Sequence, residues 1–80
     1  MNVQLLFFGI TADLINTSSV TIELENSLLV KDFKELLLAK FPQLKNMQSY
    51  AIAINEVYAT NQDIVKENDV VAIIPPVSGG

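Results

Sequence analysis

The chain has 80 residues, half of them hydrophobic, with nine acidic side chains against five lysines, no arginine, no histidine, no cysteine and a net charge of −4. That length holds one domain near the lower limit of a self-sufficient core, and the apolar content marks it as globular rather than disordered. The composition excludes disulfides, thiol chemistry, iron–sulfur ligation, most zinc sites and imidazole as a general base, and the acidic balance argues against nucleic acid and for a basic protein surface as partner.

The opening "MNVQLLFFG" lacks the basic start and small-residue cleavage site of a signal peptide. No apolar run approaches the roughly 20 residues of a transmembrane helix, so a cytoplasmic protein with no membrane partner is expected. "NVQLLFFG" predicts a first strand: Val3, Leu5 and Phe7 share one face at a period of two, and Gly9 marks its end. "ITADLINTSS" predicts a turn region with one short helical turn at Ile10–Ile15. "VTIELE" alternates cleanly, with Val20, Ile22 and Leu24 against Thr21, Glu23 and Glu25, as a half-buried strand does.

From Val30 the period changes. Val30, Phe33, Leu37 and Phe41 recur at three- and four-residue spacing, which predicts an amphipathic helix with Ser27 as candidate N-cap and Pro42 as its stop. "YAIAINEVYA" predicts strand, tight turn and strand, with Asn55-Glu56 at the bend. "TNQDIVKEND" is a polar connection anchored by Ile64 and Val65. "VVAIIP" is a continuous apolar run, expected for a central strand with both faces covered. The order β-β-α-β-β-β, in one domain without repeats, predicts an α+β architecture: a β-grasp, with a mixed sheet wrapped over one main helix. Residues 1–74 make that domain and 75–80 an extended tail.

The tail, "PPVSGG", carries the most distinctive chemistry. Pro75 and Pro76 have fixed φ and no N–H, so they end strand pairing and project the chain as a stiff segment. Val77 and Ser78 continue it. Gly79 and Gly80 have no Cβ and fit a narrow channel that presents the Gly80 carboxylate to a reactive centre. An ordinary frayed end finishing in glycines is the plain alternative. A second feature is apolar. With Val3, Leu5 and Phe7 inward, Leu6 and Phe8 face out; with Val71 and Ile73 inward, Val70, Ala72 and Ile74 face out. First and last strands are neighbours in a β-grasp, so Leu6, Phe8, Ala72 and Ile74 are expected to form one patch at the root of the tail. Contiguous exposed apolar surface marks a binding site, unless the Ile10–Ile15 segment folds back over it.

The remaining charged groups point to solvent rather than to chemistry. Asp32 and Glu35 share a helix face and Glu23 and Glu25 a strand face, without the cleft or metal-site pattern that acid–base work needs. Glu67 and Asp69 flank Asn68 as turn residues do. Lysines 31, 34, 40, 45 and 66 are scattered, with no sign of the desolvation that activates a lysine. No metal or bound cofactor is expected.

With these residues in view, the chain resembles the small, sulfur-carrier subunit of molybdopterin synthase, a ubiquitin-like family. "VQLLFFG" is similar to that family's first strand, "VKDFKELLLAKFP" to its helix, "AINEVYA" to its β-turn-β, and "ENDVVAIIPPVSGG" to its closing segment. Asn68 stands where the family has a loop glycine, and asparagine tolerates positive φ better than most residues. The resemblance implies that an ATP-dependent, E1-like enzyme adenylates Gly80 and that a sulfur donor converts the acyl-adenylate to a thiocarboxylate. The tail, Pro75 to Gly79, then enters the large synthase subunit, where sulfur passes to cyclic pyranopterin monophosphate within a heterotetramer. It also implies that catalysis resides in the large subunit. A carrier for thiamine or tRNA thiolation, a ubiquitin-like modifier and a non-catalytic β-grasp interaction module remain the alternatives; the proline pair favours the molybdopterin pathway.

Overall fold

In the computed structural model, which describes residues 1–46 and 50–75, the chain runs β1 (Asn2–Phe7), α1 (Ile10–Ile15), β2 (Ser19–Glu23), β3 (Leu28–Leu29), α2 (Val30–Lys40), a 3-10 helix (Pro42–Asn46), β4 (Ala51–Ile54), β5 (Val57–Tyr58), β6 (Ile64–Val65) and β7 (Val70–Ile74). Five strands form one sheet in the order β2-β1-β7-β4-β5. β1 and β7 are parallel; the other pairs are antiparallel. This is the mixed sheet on one main helix that the element order predicts.

Alternation places the core. Val3, Leu5 and Phe7 of β1, Val71 and Ile73 of β7, and Ile52 of β4 turn to one face and are buried. They meet Val30, Phe33 and Leu37 of α2, all fully enclosed, in a single cluster. The charged face of α2 stays in water: Lys31, Asp32, Glu35 and Lys40 are exposed. Side chains three and four apart on a helix share a face, which is why this spacing turns one stripe to the sheet.

Four details depart from the sequence reading. Ser27 does not cap α2. Leu28 and Leu29 instead pair with Val65 and Ile64 in a small second sheet, so Leu29 takes the cap position without a side-chain bond. The first helical amides find backbone partners: Val30 N donates to the Asp63 carbonyl at 2.8 Å and Lys31 N to the Asn61 carbonyl at 3.2 Å. Those long-range bonds satisfy donors that a serine hydroxyl otherwise serves. Ile64 is no core anchor. Pairing with Leu29 turns its side chain outward, while Val65 goes fully inside. Beyond Pro42 the chain coils into the unpredicted 3-10 helix, which buries Leu44, while Phe41 packs edge-on against Phe7 with ring centroids 5.5 Å apart. Lastly, β7 is central because both its edges are paired, yet only one of its faces is covered: Val71 and Ile73 are buried, whereas Val70, Ala72 and Ile74 are half-buried. A parallel sheet sandwiched between helices buries both faces of such a strand; here, among the described residues, α2 covers one side.

The β4–β5 bend falls at Asn55-Glu56 as expected. Both residues have positive φ, 51° and 72°, the pattern of the two-residue hairpin turns that match strand twist. Asn55 is also tied across the sheet, donating through Nδ2 to Asp69 at 2.9 Å and accepting from Val70 N at 3.0 Å. Asn68 is likewise left-handed, at φ 66°. Glu56 bears that conformation without a compensating bond among those described, so Glu56→Gly is expected to stabilise the fold by about 0.5–1 kcal/mol. A thermal melt should show it as a rise of roughly 2–8 °C.

Candidate functional site

The side of the sheet away from α2 has one continuous apolar region. Register explains it. Leu6 of β1 lies opposite Ala72 of β7, Ala72 opposite Ala53 of β4, and Ala53 opposite Tyr58 of β5. Side chains opposite one another on neighbouring strands share a face, so these four form a row across the sheet with two alanines at its centre. Small side chains flanked by large ones leave a hollow. It encloses about 310 Å³ and is lined by Leu6, Phe8, Ala53, Glu56, Tyr58, Val70, Ala72 and Ile74.

All four residues expected in the patch thus line a single hollow. Phe8 stands at its rim with 48% of its surface exposed; Leu6, Ala72 and Ile74 are half-buried. The structure adds Ala53, Glu56 and Tyr58 to them. The sequence shows that Ala51 and Ala53 alternate with Ile52 and Ile54, but not that β4 lies beside β7. Towards β2 the face turns polar, since Ser19, Thr21 and Glu23 are exposed. The hollow therefore opens towards one half of the sheet, that of β7, β4 and β5.

Helix α1 does not cover it. No residue of Ile10–Ile15 lines the hollow; Thr11 is buried instead, and Ala12 and Ile15 pack against the core. Two other hollows, of about 410 and 360 Å³, include no residue of β7. The larger is bounded by Val57, Ile64 and Lys66, the other by Glu23, Glu25 and Lys40. Of these three hollows among the described residues, the apolar one shares a strand with the tail, because β7 ends at Ile74 and the half-buried Pro75 follows directly. Pro76, Val77, Ser78, Gly79 and Gly80 lie outside the described residues.

Chemistry on the globular part is sparse. Glu23, Glu25, Asp32, Glu35 and Glu67 are exposed, and among the described residues no group of three or more acidic side chains is gathered as a metal site. Asp69 accepts from Asn55 Nδ2 and from Lys66 N at 2.7 Å, a turn role. Burial pushes the Tyr50 phenol above its ordinary pKa; that side chain packs against the core and does not line the hollow. No helix among the described residues is long and apolar enough to cross a membrane. What this surface offers is adhesion, an apolar recess with aromatic rims.

The sequence model of one family, the ThiS family, matches residues 5–80. The chain belongs to the ThiS family. Within it, similarity to molybdopterin synthase sulfur carrier subunits spans the whole chain: that of Drosophila yakuba is 37% identical over 83 residues, covering 100% of this chain and 92% of the fly protein. Among solved structures, a complex of subunits 1 and 2 of molybdopterin-converting factor from Helicobacter pylori contains a chain that superposes with a TM-score of 0.69 at 27% identity, with complete coverage of both chains. The crystal structure of SAMP1 from Haloferax volcanii superposes at a TM-score of 0.84, again with complete coverage, and at 20% identity it shares the fold. The ubiquitin-like β-grasp of this ThiS-family chain agrees with its strand order and with these neighbours.

Proposed function

We propose that this chain is the sulfur carrier of a molybdopterin synthase. An ATP-using, E1-like enzyme joins the Gly80 carboxylate to AMP with release of pyrophosphate. Sulfide-level sulfur from a donor attacks the acyl carbon, the bond to AMP breaks with AMP leaving, and a thiocarboxylate remains on Gly80. The hollow at Leu6, Phe8, Ala72 and Ile74 docks the large synthase subunit, so that the tail from Pro75 to Gly79 reaches that subunit's active site. There the sulfur is transferred to cyclic pyranopterin monophosphate, and water restores the carboxylate. The carrier holds no cofactor of its own; ATP is a substrate of the activating enzyme, and the exchange takes place in the cytoplasm within a heterotetramer.

The observation that carries this reading is the apolar hollow whose floor is β7, the strand that leads directly into the tail. A partner seated there lies next to the chain's exit, which converts delivery of Gly80 into an effectively intramolecular event. The full-length likeness to sulfur carrier subunits supports the choice of pathway. The test is the intact mass of the protein after incubation with ATP, a cognate activating enzyme and a sulfur source. Replacement of one oxygen by sulfur, mapped to Gly80, is expected, followed by its loss when large subunit and pterin precursor are added. An unchanged mass with a demonstrably active enzyme overturns the reading, and a sulfur that leaves only towards other acceptors moves the chain to another thiolation pathway.

Docking has its own check. Phe8→Asp places a charge in the rim of the hollow while leaving the backbone bond from Phe8 N to the Ile73 carbonyl in place. Burying the exposed half of the phenyl on docking is worth about 1–1.5 kcal/mol, and the desolvated carboxylate that replaces it adds to the loss. Calorimetry with the large subunit is expected to show affinity about 100-fold weaker, with thermal stability close to that of the unaltered chain.

A further inference from the structure

The corner between β1 and α1 is bound directly to the place where the chain leaves β7. Thr11 is fully buried, although it is polar and belongs to a helix of six residues. Its hydroxyl donates to the Phe8 carbonyl and lies 3.3 Å from the carbonyl of Ile73. The same Ile73 carbonyl accepts from Phe8 N at 3.2 Å. One backbone donor of this corner, Phe8 N, therefore bonds the peptide unit just before Ile74, and the single proton of the Thr11 hydroxyl reaches the same carbonyl only as the longer branch of a shared bond. Between Phe8 and Thr11, Gly9 holds φ 54° and ψ −133°, which glycine alone adopts without strain. A Cβ at position 9 would stand 3.1 Å from Pro75 Cγ. The proline ring thus packs against the place where a side chain at residue 9 would begin and would have to give by a few tenths of an ångström to admit one.

We propose that Gly9 and Thr11 are positioning residues: they seat Ile73 and Pro75 so that the chain leaves β7 in one fixed direction beside the docking hollow. Register pairing alone holds β7 only as far as Ile73 opposite Phe7 and Ile74 opposite Ala51. The seat extends that order by one residue, to a proline whose own φ is fixed. Resting on the sulfur-carrier reading, its consequence is kinetic. A misdirected root displaces the reacting atom without touching the docking residues. The plainer account is that the Thr11 hydroxyl only closes the start of α1 and that Gly9 only turns the chain.

Two readouts separate these accounts. The chain has no cysteine, so Ser78→Cys takes a nitroxide at a single position, and paramagnetic broadening of the sheet amides then maps where the tail points. The original background and Thr11→Ser, which keeps the hydroxyl, are expected to give the same confined pattern; Thr11→Val and Gly9→Ala are expected to spread it. Pro75→Ala, which removes the ring without altering a core residue, is expected to spread it too and serves if either corner variant fails to fold. In unlabelled protein, single-turnover sulfur transfer to the pterin precursor should slow at least about tenfold in Thr11→Val, by misplacement of the reacting group. Affinity for the large subunit should remain within about twofold, since the hollow is untouched, and Thr11→Ser should restore the rate. Identical broadening in every folded variant overturns the proposal, as does a loss of affinity that tracks the loss of rate. If the unaltered chain takes up no sulfur, the carrier reading fails by itself and the broadening maps still decide the seat.

Discussion

Adding one alanine beyond Gly80 is expected to reduce thiocarboxylate formation at least about 1,000-fold while leaving the fold and large-subunit binding unchanged. The magnitude follows from length. One extended residue moves the terminal carboxylate by roughly 3.5 Å, and a misplacement of about 1 Å already costs about 100-fold in a positioned reaction. The alanine also brings a Cβ into a channel that Gly79 and Gly80 are proposed to thread without one. Docking is spared, because Leu6, Phe8, Ala72 and Ile74 all precede the tail and line the hollow whatever follows it. Intact mass gives the first quantity and calorimetry the second. An extended chain that still gains sulfur at the unaltered rate sinks the proposal that Gly80 carries it; lost binding instead places the docking surface in the tail.

Phe33→Ala is the second large effect, and it acts through stability. Phe33 is fully enclosed in the cluster between α2 and the sheet. Removing a buried phenyl costs about 3–5 kcal/mol in transfer and cavity terms. At about 0.05–0.15 kcal/mol per residue, a domain of this length has only about 4–12 kcal/mol in total. The substitution therefore consumes about a quarter or more of the fold's stability, and about three-quarters to all of it at the lower bound. Urea titration should show the midpoint falling by about 1–5 M at typical slopes. Phe8→Asp offers the contrast: the same residue type, on the uncovered face, is expected to lose its partner and keep its fold. If Phe33→Ala unfolds at the same midpoint as the unaltered chain, the core assignment is wrong.

The difference between those two phenylalanines is legible in the sequence. A period of two runs through Val3, Leu5 and Phe7 and sets Leu6 and Phe8 on the other face. A three- and four-residue period put Val30, Phe33 and Leu37 on one stripe of α2. The Asn55-Glu56 bend and the left-handed Asn68 were visible because turn conformations favour particular residue types. Each of these is a local property. Neighbours along the chain determine it, so composition and spacing carry it.

Other features depend on which distant segments meet, and no period encodes that. The pairing of Leu28-Leu29 with Ile64-Val65 turned Ile64 outward and displaced Ser27 from the helix cap. The place of β7 between β1 and β4 brought Ala53 and Tyr58 to Leu6 and Ala72, which made a hollow out of a stripe. Thr11 reads as an ordinary polar residue in a short helix until the fold carries it, across 62 positions of sequence, to the Ile73 carbonyl. By itself the sequence determined the faces of its main strands and helix, the glycine pair at its end and the lack of thiol and imidazole side chains. Only the tertiary structure decided what lies at the root of that tail, because burial and hydrogen bonding between remote segments are settled when the chain closes on itself, not by the residues next door.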